Sequence, residues 1–163
     1  MWPEHCVQNT YGSEFHPNLI VNHNDIIVLK GMNSSIDSYS AFYDNDHINS
    51  TTLHDTLQQH NIDTVMLCGL ALDYCVSWTG LDALNLHYNT YIIRDACRGI
   101  TEESINNAVN EIRSNGGHII NSVDIKSIIQ HNTNISDHAA FVKPVSHLHS
   151  HAAQSNEVEH AVG

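Results

Sequence analysis

Positive charge is scarce in this chain of 163 residues, which has 6 Lys and Arg against 18 Asp and Glu and a formal net charge of −12. Nucleic acids and anionic membrane surfaces both need a basic face on their protein partner, so this balance argues against either partner. Long apolar runs are missing too, and no stretch approaches the length of a membrane span. The polar N-terminal segment of this sequence does not have the pattern of a signal peptide.

Paired cysteine motifs that bind zinc or exchange disulfides are also absent. The chain has Cys6, Cys68, Cys75 and Cys97, and no two of them form a CxxC pair. Such thiols are typical of a reducing compartment, so we expect the protein to be cytoplasmic. Hydrophobic residues make up 41% of the chain, which is enough to bury the core of one domain.

The sequence does contain apolar runs that alternate with helical patterns. Strands are predicted at 26–29, 64–68, 90–93 and 118–120, and helices at 51–60, 74–89, 101–114 and 123–130. This alternation predicts an α/β fold with a parallel sheet.

The periodic pattern ends near residue 132. We therefore expect one domain over 1–132 and a flexible His-rich tail over 133–163. His147, His149 and His151 of this tail have the composition of a metal chelator, but a solvated tail without a fixed role is favoured because no rigid geometry is implied.

Three polar residues follow the ends of predicted strands. Lys30 follows the first strand, Cys75 the turn after the second, and Asp95 the third. Because the carboxyl ends of parallel strands meet at one edge of a sheet, we expect these side chains to share a crevice.

Each of these three residues has two interpretations. Cys75 lies at a strand-to-helix turn, where a helix N-terminus stabilises a thiolate, so it is a candidate nucleophile. The alternative is a small, buried and unreactive thiol. Lys30 is either a cation for that thiol or an exposed lysine, and Asp95 is better explained as a carboxylate that binds nearby backbone N–H groups.

Four segments carry recognisable motifs in chain order. They are Trp2-Pro3-Glu4-His5-Cys6-Val7-Gln8, Lys30-Gly31 with Asp37-Ser38-Tyr39-Ser40-Ala41-Phe42, Gly69-Leu70-Ala71-Leu72-Asp73-Tyr74-Cys75-Val76, and Asp95-Ala96-Cys97-Arg98-Gly99. Together they resemble the nicotinamidases, within the isochorismatase-like hydrolase superfamily. The resemblance implies a three-layer fold with strand order 3-2-1-4-5-6, and we expect this chain to lack the first two of these strands.

The resemblance also implies the catalytic residues. Cys75 is the nucleophile that attacks the carboxamide carbon of nicotinamide, and Lys30 is the cation beside it. The oxyanion is bound by the backbone N–H groups of Cys75 and of Ala71, which follows a cis peptide bond in the family.

The remaining roles concern the pyridine ring and a metal. By resemblance, Trp2 and Tyr39 lie beside the ring, and His5 is a ligand of a divalent metal, with zinc favoured. The family's catalytic aspartate and its DxHxxxxxH metal segment have no counterpart here. We therefore expect that this chain does not retain the metal, since a stable site needs about three protein ligands.

The leading functional prediction is a nicotinamide amidohydrolase that acts through a cysteine thioester in NAD salvage. One alternative is a non-catalytic truncated isoform or fragment with a binding role. A second alternative is a superfamily hydrolase of another small amide. We expect nicotinamide as the small-molecule partner, with no nucleic acid or membrane, and a homo-oligomer remains an open alternative.

Overall fold

A parallel sheet forms the centre of the molecule in the computed structural model, which describes Pro3, residues 5–131 and residues 139–142. Its strands are β1 (Thr64–Leu70), β2 (Asn89–Arg98), β3 (His118–Ile120) and β4 (Ala139–Val142). They lie in the order β3-β2-β1-β4, and every pairing between them is parallel. The predicted α/β fold with a parallel sheet is confirmed.

Four α-helices accompany the strands in the described ranges. They are α1 (Leu53–Gln59), α2 (Ser77–Asn85), α3 (Glu102–Ser114) and α4 (Ile125–His131). Helices α2 and α3 connect successive parallel strands, which need a crossover of this kind. None of the helices in these ranges has the length and apolar character to cross a bilayer.

The start of α3 follows from its sequence. The Thr101 hydroxyl accepts a hydrogen bond from the Ser104 N–H at 3.1 Å, and the Ser104 hydroxyl accepts one from the Thr101 N–H at 3.3 Å. This reciprocal pair satisfies backbone donors that the first helical turn leaves open. The predicted helix at 101–114 is confirmed.

Helix α2 packs closely against the sheet at Gly80. A Cβ atom at this position would lie 2.8 Å from Ile112 Cδ1 of α3 and 3.2 Å from Ile92 Cδ1 of β2. The missing side chain therefore lets α2 approach its neighbours. Because α2 follows β1 through a short turn, this packing fixes the end of the turn that carries Cys75.

The predicted strand at 26–29 is wrong, since these residues form no strand in the described part of the chain. Ile26 and Ile27 are 58% and 55% exposed. An apolar run favours burial of its side chains, but a strand also needs a hydrogen-bonding partner for its backbone groups. The pairing partner is not encoded in the run itself.

The sheet instead gains β4, which falls within the predicted tail. Ala140 and Val142 pack against the core, and Val65 of β1 pairs with Ala140. The expectation that the pattern fails after residue 132 is therefore wrong for Ala139–Val142. A run of four apolar residues after a polar stretch is too short to show periodicity.

Two boundaries also differ from the sequence prediction. Strand β2 continues to Arg98, so Asp95 lies inside a strand instead of following one. The predicted helix at 74–89 is divided into a π-helical turn at Leu72–Val76 and the α-helix α2.

Candidate active site

Cys75 lies in a π-helical turn between β1 and α2, with 2% of its surface exposed. The N–H groups of Tyr74 and Val76 both donate to the Ala71 carbonyl at 3.1 Å, so the backbone is fixed on either side of the cysteine. The Leu70–Ala71 peptide bond is cis, as the resemblance implies. Single π-helical turns are frequent at functional sites.

Lys30 reaches this turn from a distant part of the chain. Its Nζ atom lies 3.6 Å from Cys75 Sγ, 2.6 Å from the Ser38 carbonyl oxygen and 2.9 Å from the Tyr39 carbonyl oxygen. An ammonium group has three N–H donors, so these three acceptors match it fully. The expected proximity of Lys30 and Cys75 is confirmed, although Lys30 does not end a strand.

The electrostatics of Lys30 reflect two opposing effects. Burial lowers the pKa of Lys30 below its ordinary value, because a buried ammonium loses its hydration, and only 3% of the residue is exposed. Cys75 opposes this shift by favouring the charged lysine, and Cys6 and Asp44 do so more weakly. A nearby ammonium in turn favours the thiolate form of a cysteine.

The segment that holds Lys30 is here called the clamp loop and comprises residues 37–45. The Tyr39 N–H donates to Asn45 Oδ1 at 2.9 Å, and the Asn45 N–H donates to the Asp37 carbonyl at 2.8 Å. These bonds close the loop on itself. The two carbonyl groups that bind Lys30 are therefore held by local hydrogen bonds.

The ring of Tyr39 lies against α2 and against the turn Leu72–Val76 that carries Cys75. Its centroid is 5.5 Å from that of Tyr74 and 5.3 Å from that of Trp78, both in edge-to-face geometry. This aromatic cluster brings Tyr39 beside the segment that carries Cys75. Its predicted contact with a pyridine ring stays a prediction.

Asp73 is two residues from Cys75, but its side chain binds elsewhere. Its Oδ2 atom accepts hydrogen bonds from the Ile100 N–H at 2.9 Å and from the Ser104 hydroxyl. Gly99 leaves room for the carboxylate, because a Cβ there would lie 2.8 Å from Asp73 Oδ1. The carboxylate therefore links the turn that carries Cys75 to the start of α3.

Asp95 is likewise engaged away from Cys75. Its two oxygens accept from the Ser122 N–H at 2.8 Å and the Ser122 hydroxyl at 2.6 Å. These hydrogen bonds lower the pKa of the Asp95 carboxyl. The structure thus supports the interpretation of Asp95 as a carboxylate that stabilises local backbone, and it does not join Lys30 and Cys75 in the site.

Metal binding has little support in the described residues. The Nδ1 atom of His5 lies 2.6 Å from the Pro3 carbonyl oxygen, and no group of three or more His, Cys, Asp or Glu in this part of the chain could hold an ion. These residues do not fit a divalent metal by themselves. Trp2 and the tail histidines lie outside the described residues.

An apolar groove of about 610 Å³ opens beside the site. Its walls come from the segment 15–28, from α1 and from β4, and Lys30 also lines it. Ile20, Ile27 and Phe141 line this groove and are each at least half exposed. The buried lysine therefore contacts Cys75 and also lines an open apolar surface.

Sequence reasoning missed several residues that organise the site. Ser38 supplies a carbonyl to Lys30, Trp78 packs on Tyr39, and Thr79 bonds to both the clamp loop and the Cys75 carbonyl. The positions of Trp78 and Thr79, three and four residues after Cys75 on a helix, place them on the same face as the cysteine.

Asp82 is a further residue that the sequence did not single out. It is buried on α2, and its Oδ1 atom lies 3.8 Å from His47 Nε2. Burial raises the pKa of the Asp82 carboxyl, while a hydrogen bond with Ser40 and the nearby His47 oppose the shift. An acidic residue seven positions after the cysteine recurs on the cysteine's helix face, which was the available signal.

The parallel sheet and the turn that carries Cys75 define an α/β domain of the isochorismatase-like fold. The isochorismatase domain model matches residues 1–124. The chain belongs to the isochorismatase family.

Its relatives within this family include nicotinamidases. A nicotinamidase of Escherichia coli strain K12 is 48% identical over 99 residues, which cover 61% of this chain and 46% of that protein. A nicotinamidase and pyrazinamidase structure from Acinetobacter baumanii has 42% identity and a TM-score of 0.73, covering 77% of this chain and 61% of that one.

A third similar protein is a pyrazinamidase from Pyrococcus horikoshii, solved in complex with zinc. It has 35% identity and a TM-score of 0.66, and the match covers 74% of this chain and 63% of that one. The chain spans about half the length of the curated relatives it matches.

Proposed function

We propose that this chain carries the nucleophile centre of a nicotinamide amidohydrolase. The observation that supports this most strongly is the contact between the Lys30 ammonium and the Cys75 sulfur at 3.6 Å in a buried turn. The similarity to proteins named nicotinamidases supports nicotinamide as the substrate.

The proposed reaction has two stages. The Cys75 thiolate attacks the carboxamide carbon, the C–N bond breaks, and the nitrogen takes up a proton from solvent and leaves as ammonia, the later hydrolysis step returning that proton. A thioester between Cys75 and the acyl group remains, and water hydrolyses it to nicotinic acid. We assign to the Lys30 ammonium the role of the cation beside the attacking sulfur. The product is a pyridine nucleotide precursor, so we place the activity in cytoplasmic NAD salvage.

The oxyanion of each tetrahedral intermediate needs N–H donors. We assign this role to Cys75 and Ala71, by resemblance to the family. Tyr39 and Trp2 are proposed to contact the pyridine ring. His5 is proposed as a metal ligand only in an assembly that supplies further ligands, and no step of the reaction described here depends on a metal.

A second candidate function is the binding of a small amide without rapid turnover. The contacts of two carboxylates support it. Asp73 lies two residues before Cys75 in the sequence, and Asp95 lies in β2, the strand next to β1. Both carboxylates accept hydrogen bonds from hydroxyl and N–H groups away from Cys75. Neither serves Cys75 as a general base in this arrangement. If neither of these two described carboxylates acts as the base, the second candidate is a centre that binds a small amide without turning it over, or that turns it over slowly.

Ammonia release from nicotinamide tests the proposal, with and without added zinc. We expect slow release that disappears in Cys75→Ser, because loss of one member of a catalytic set commonly costs about 10³-fold or more in rate. Cys97→Ser is a matched control, since Cys97 is also buried. Equal release by the unchanged chain and by Cys75→Ser would contradict the amidohydrolase proposal. Calorimetric binding of nicotinamide without turnover would then favour the binding function.

A further inference from the structure

Thr79 connects the nucleophile to the clamp loop. It is fully buried on α2, one helical turn after Cys75. Its hydroxyl donates to the Cys75 carbonyl at 2.6 Å and accepts from the Ala41 N–H at 2.9 Å. A threonine hydroxyl that binds the carbonyl four residues earlier is common in helices, but the second bond to a separate loop is not part of that local pattern.

The contacts of Thr79 complete a continuous series of contacts that begins and ends at Cys75. Ala41 follows Ser38 and Tyr39, whose carbonyl groups bind the Lys30 ammonium. Lys30 then contacts the Cys75 sulfur. This chain of contacts begins at the Cys75 backbone carbonyl and passes through Thr79, the clamp loop and Lys30. It ends at the Cys75 sulfur.

The Ala41 peptide is also held from its other side. The Thr51 hydroxyl donates to the Ala41 carbonyl at 2.6 Å. Both polar groups of Ala41 are thus bound by threonine hydroxyls, one from α2 and one from the segment before α1. This leaves the clamp loop little freedom to move relative to Cys75.

We propose that Thr79 is a positioning residue that sets the separation between the Lys30 ammonium and the Cys75 sulfur. It acts through the clamp loop and does not touch the reacting atoms. The inference rests on the proposed function only in treating Cys75 as the nucleophile. Loss of the hydroxyl removes a buried acceptor from the Ala41 N–H, so the loop shifts to find another partner.

Thr79→Val tests this inference, because valine keeps the shape of threonine and removes the hydroxyl. The readout is the thiolate absorbance of Cys75 against pH, taken as the difference from the same protein with Cys75→Ser. We expect the titration curve of the variant to move to higher pH than that of the unchanged chain, since a thiol that loses its cation ionises less readily. Thr79→Ser keeps the hydroxyl and is expected to restore the original titration.

Thr90→Val is the matched control. Thr90 is also buried, and its hydroxyl donates to the Tyr88 carbonyl at 3.0 Å in β2. Its replacement should leave the titration of Cys75 unchanged. An unchanged titration in Thr79→Val, or an equal shift in Thr90→Val, would overturn the inference.

Two further comparisons keep the test decisive. If Thr79→Val does not fold, Thr51→Val releases Ala41 from the other side. A fall in the thiolate fraction then supports the inference, and an unchanged titration contradicts it. The titration needs no substrate, so it stands even if the chain releases no ammonia. Ammonia release that depends on Cys75, together with an unchanged titration in Thr79→Val, would retain the proposed function and reject the positioning role.

Discussion

The Asp73 carboxylate binds the Ser104 hydroxyl and so ties the turn that carries Cys75 to the first turn of α3. The same oxygen accepts from the Ile100 N–H, just before the helix begins. A carboxylate at a helix N-terminus is favoured both by the open N–H groups and by the helix dipole. Asp73 is therefore near Cys75 in the sequence because it joins the turn that carries Cys75 to α3. The side chains of the two residues have separate contacts.

Asp73→Asn separates a structural role from a catalytic one. Asparagine keeps an oxygen that accepts hydrogen bonds but removes the negative charge. We expect a loss of about 1 kcal/mol in the free energy of unfolding, and a change of less than about threefold in any ammonia release that depends on Cys75. Chemical denaturation and the ammonia assay measure these two effects. A much larger loss of activity in a stably folded variant would show that Asp73 acts as the base.

Lys30→Met removes the charge and keeps a long side chain. We expect the thiolate fraction of Cys75 to fall, and any ammonia release to drop by about 100-fold, because the ammonium beside the sulfur is lost. Lys126→Met on α4 is the control, since Lys126 is exposed. Both variants are compared by thiolate absorbance and by ammonia release. Equal thiolate titration curves for the two variants would contradict a role for Lys30 at the sulfur.

Cys97 gives the protein a predicted loss of stability in alkali. Burial raises the pKa of the Cys97 thiol to about 11. Between the ordinary thiol pKa and this value, the unfolded chain has released the proton and the folded chain still holds it. The free energy of unfolding therefore falls as pH rises through this window, by about 1–2 kcal/mol from this group.

Denaturation at several pH values from 8 to about 11 measures this effect. Cys97→Ala removes the titrating group, so its stability curve should be flatter than that of the unchanged chain. Parallel curves for the two proteins would show that Cys97 does not contribute. The same raised pKa predicts that Cys97 resists alkylation at neutral pH, which mass spectrometry of the labelled protein detects.

Strand β4 is expected to stabilise the sheet through its inward side chains. Ala140 packs against the core beside β1, whereas Phe141 is half exposed on the other face. Ala140→Asp should cost about 2–3 kcal/mol in the free energy of unfolding, because it places a charge against the core. Phe141→Asp is the matched control and should cost clearly less. Similar losses in both variants would contradict the assignment of faces.

Local patterns predicted much of the fold. The runs at 64–68 and 118–120 were identified as strands because they are apolar and bounded by turn residues, and the helix at 101–114 carries its own capping signal. The proximity of Lys30 and Cys75 was implied by the family motifs, whereas the strand-end argument for it fails because residues 26–29 form no strand. These features depend on neighbouring residues or on a recognisable motif.

Features that depend on distant pairing were not predictable in this way. The apolar run at 26–29 does not form a strand, while the four residues of β4 do, because β1 provides an edge for β4. Thr79 was missed for a related reason. Nothing in a helical sequence distinguishes a threonine that bonds only to its own helix from one that also bonds to a separate loop.

The open apolar groove next to Lys30 also has a consequence for the colloidal behaviour of the protein. Ile20, Ile27 and Phe141 face water there, and such surfaces attract one another. The formal net charge of −12 opposes contact between molecules at neutral pH. That repulsion vanishes near the isoelectric point of about 5.4 and weakens in salt. The solubility of this protein therefore depends on pH and ionic strength. Buffers of low ionic strength and slightly alkaline pH are expected to suit its purification.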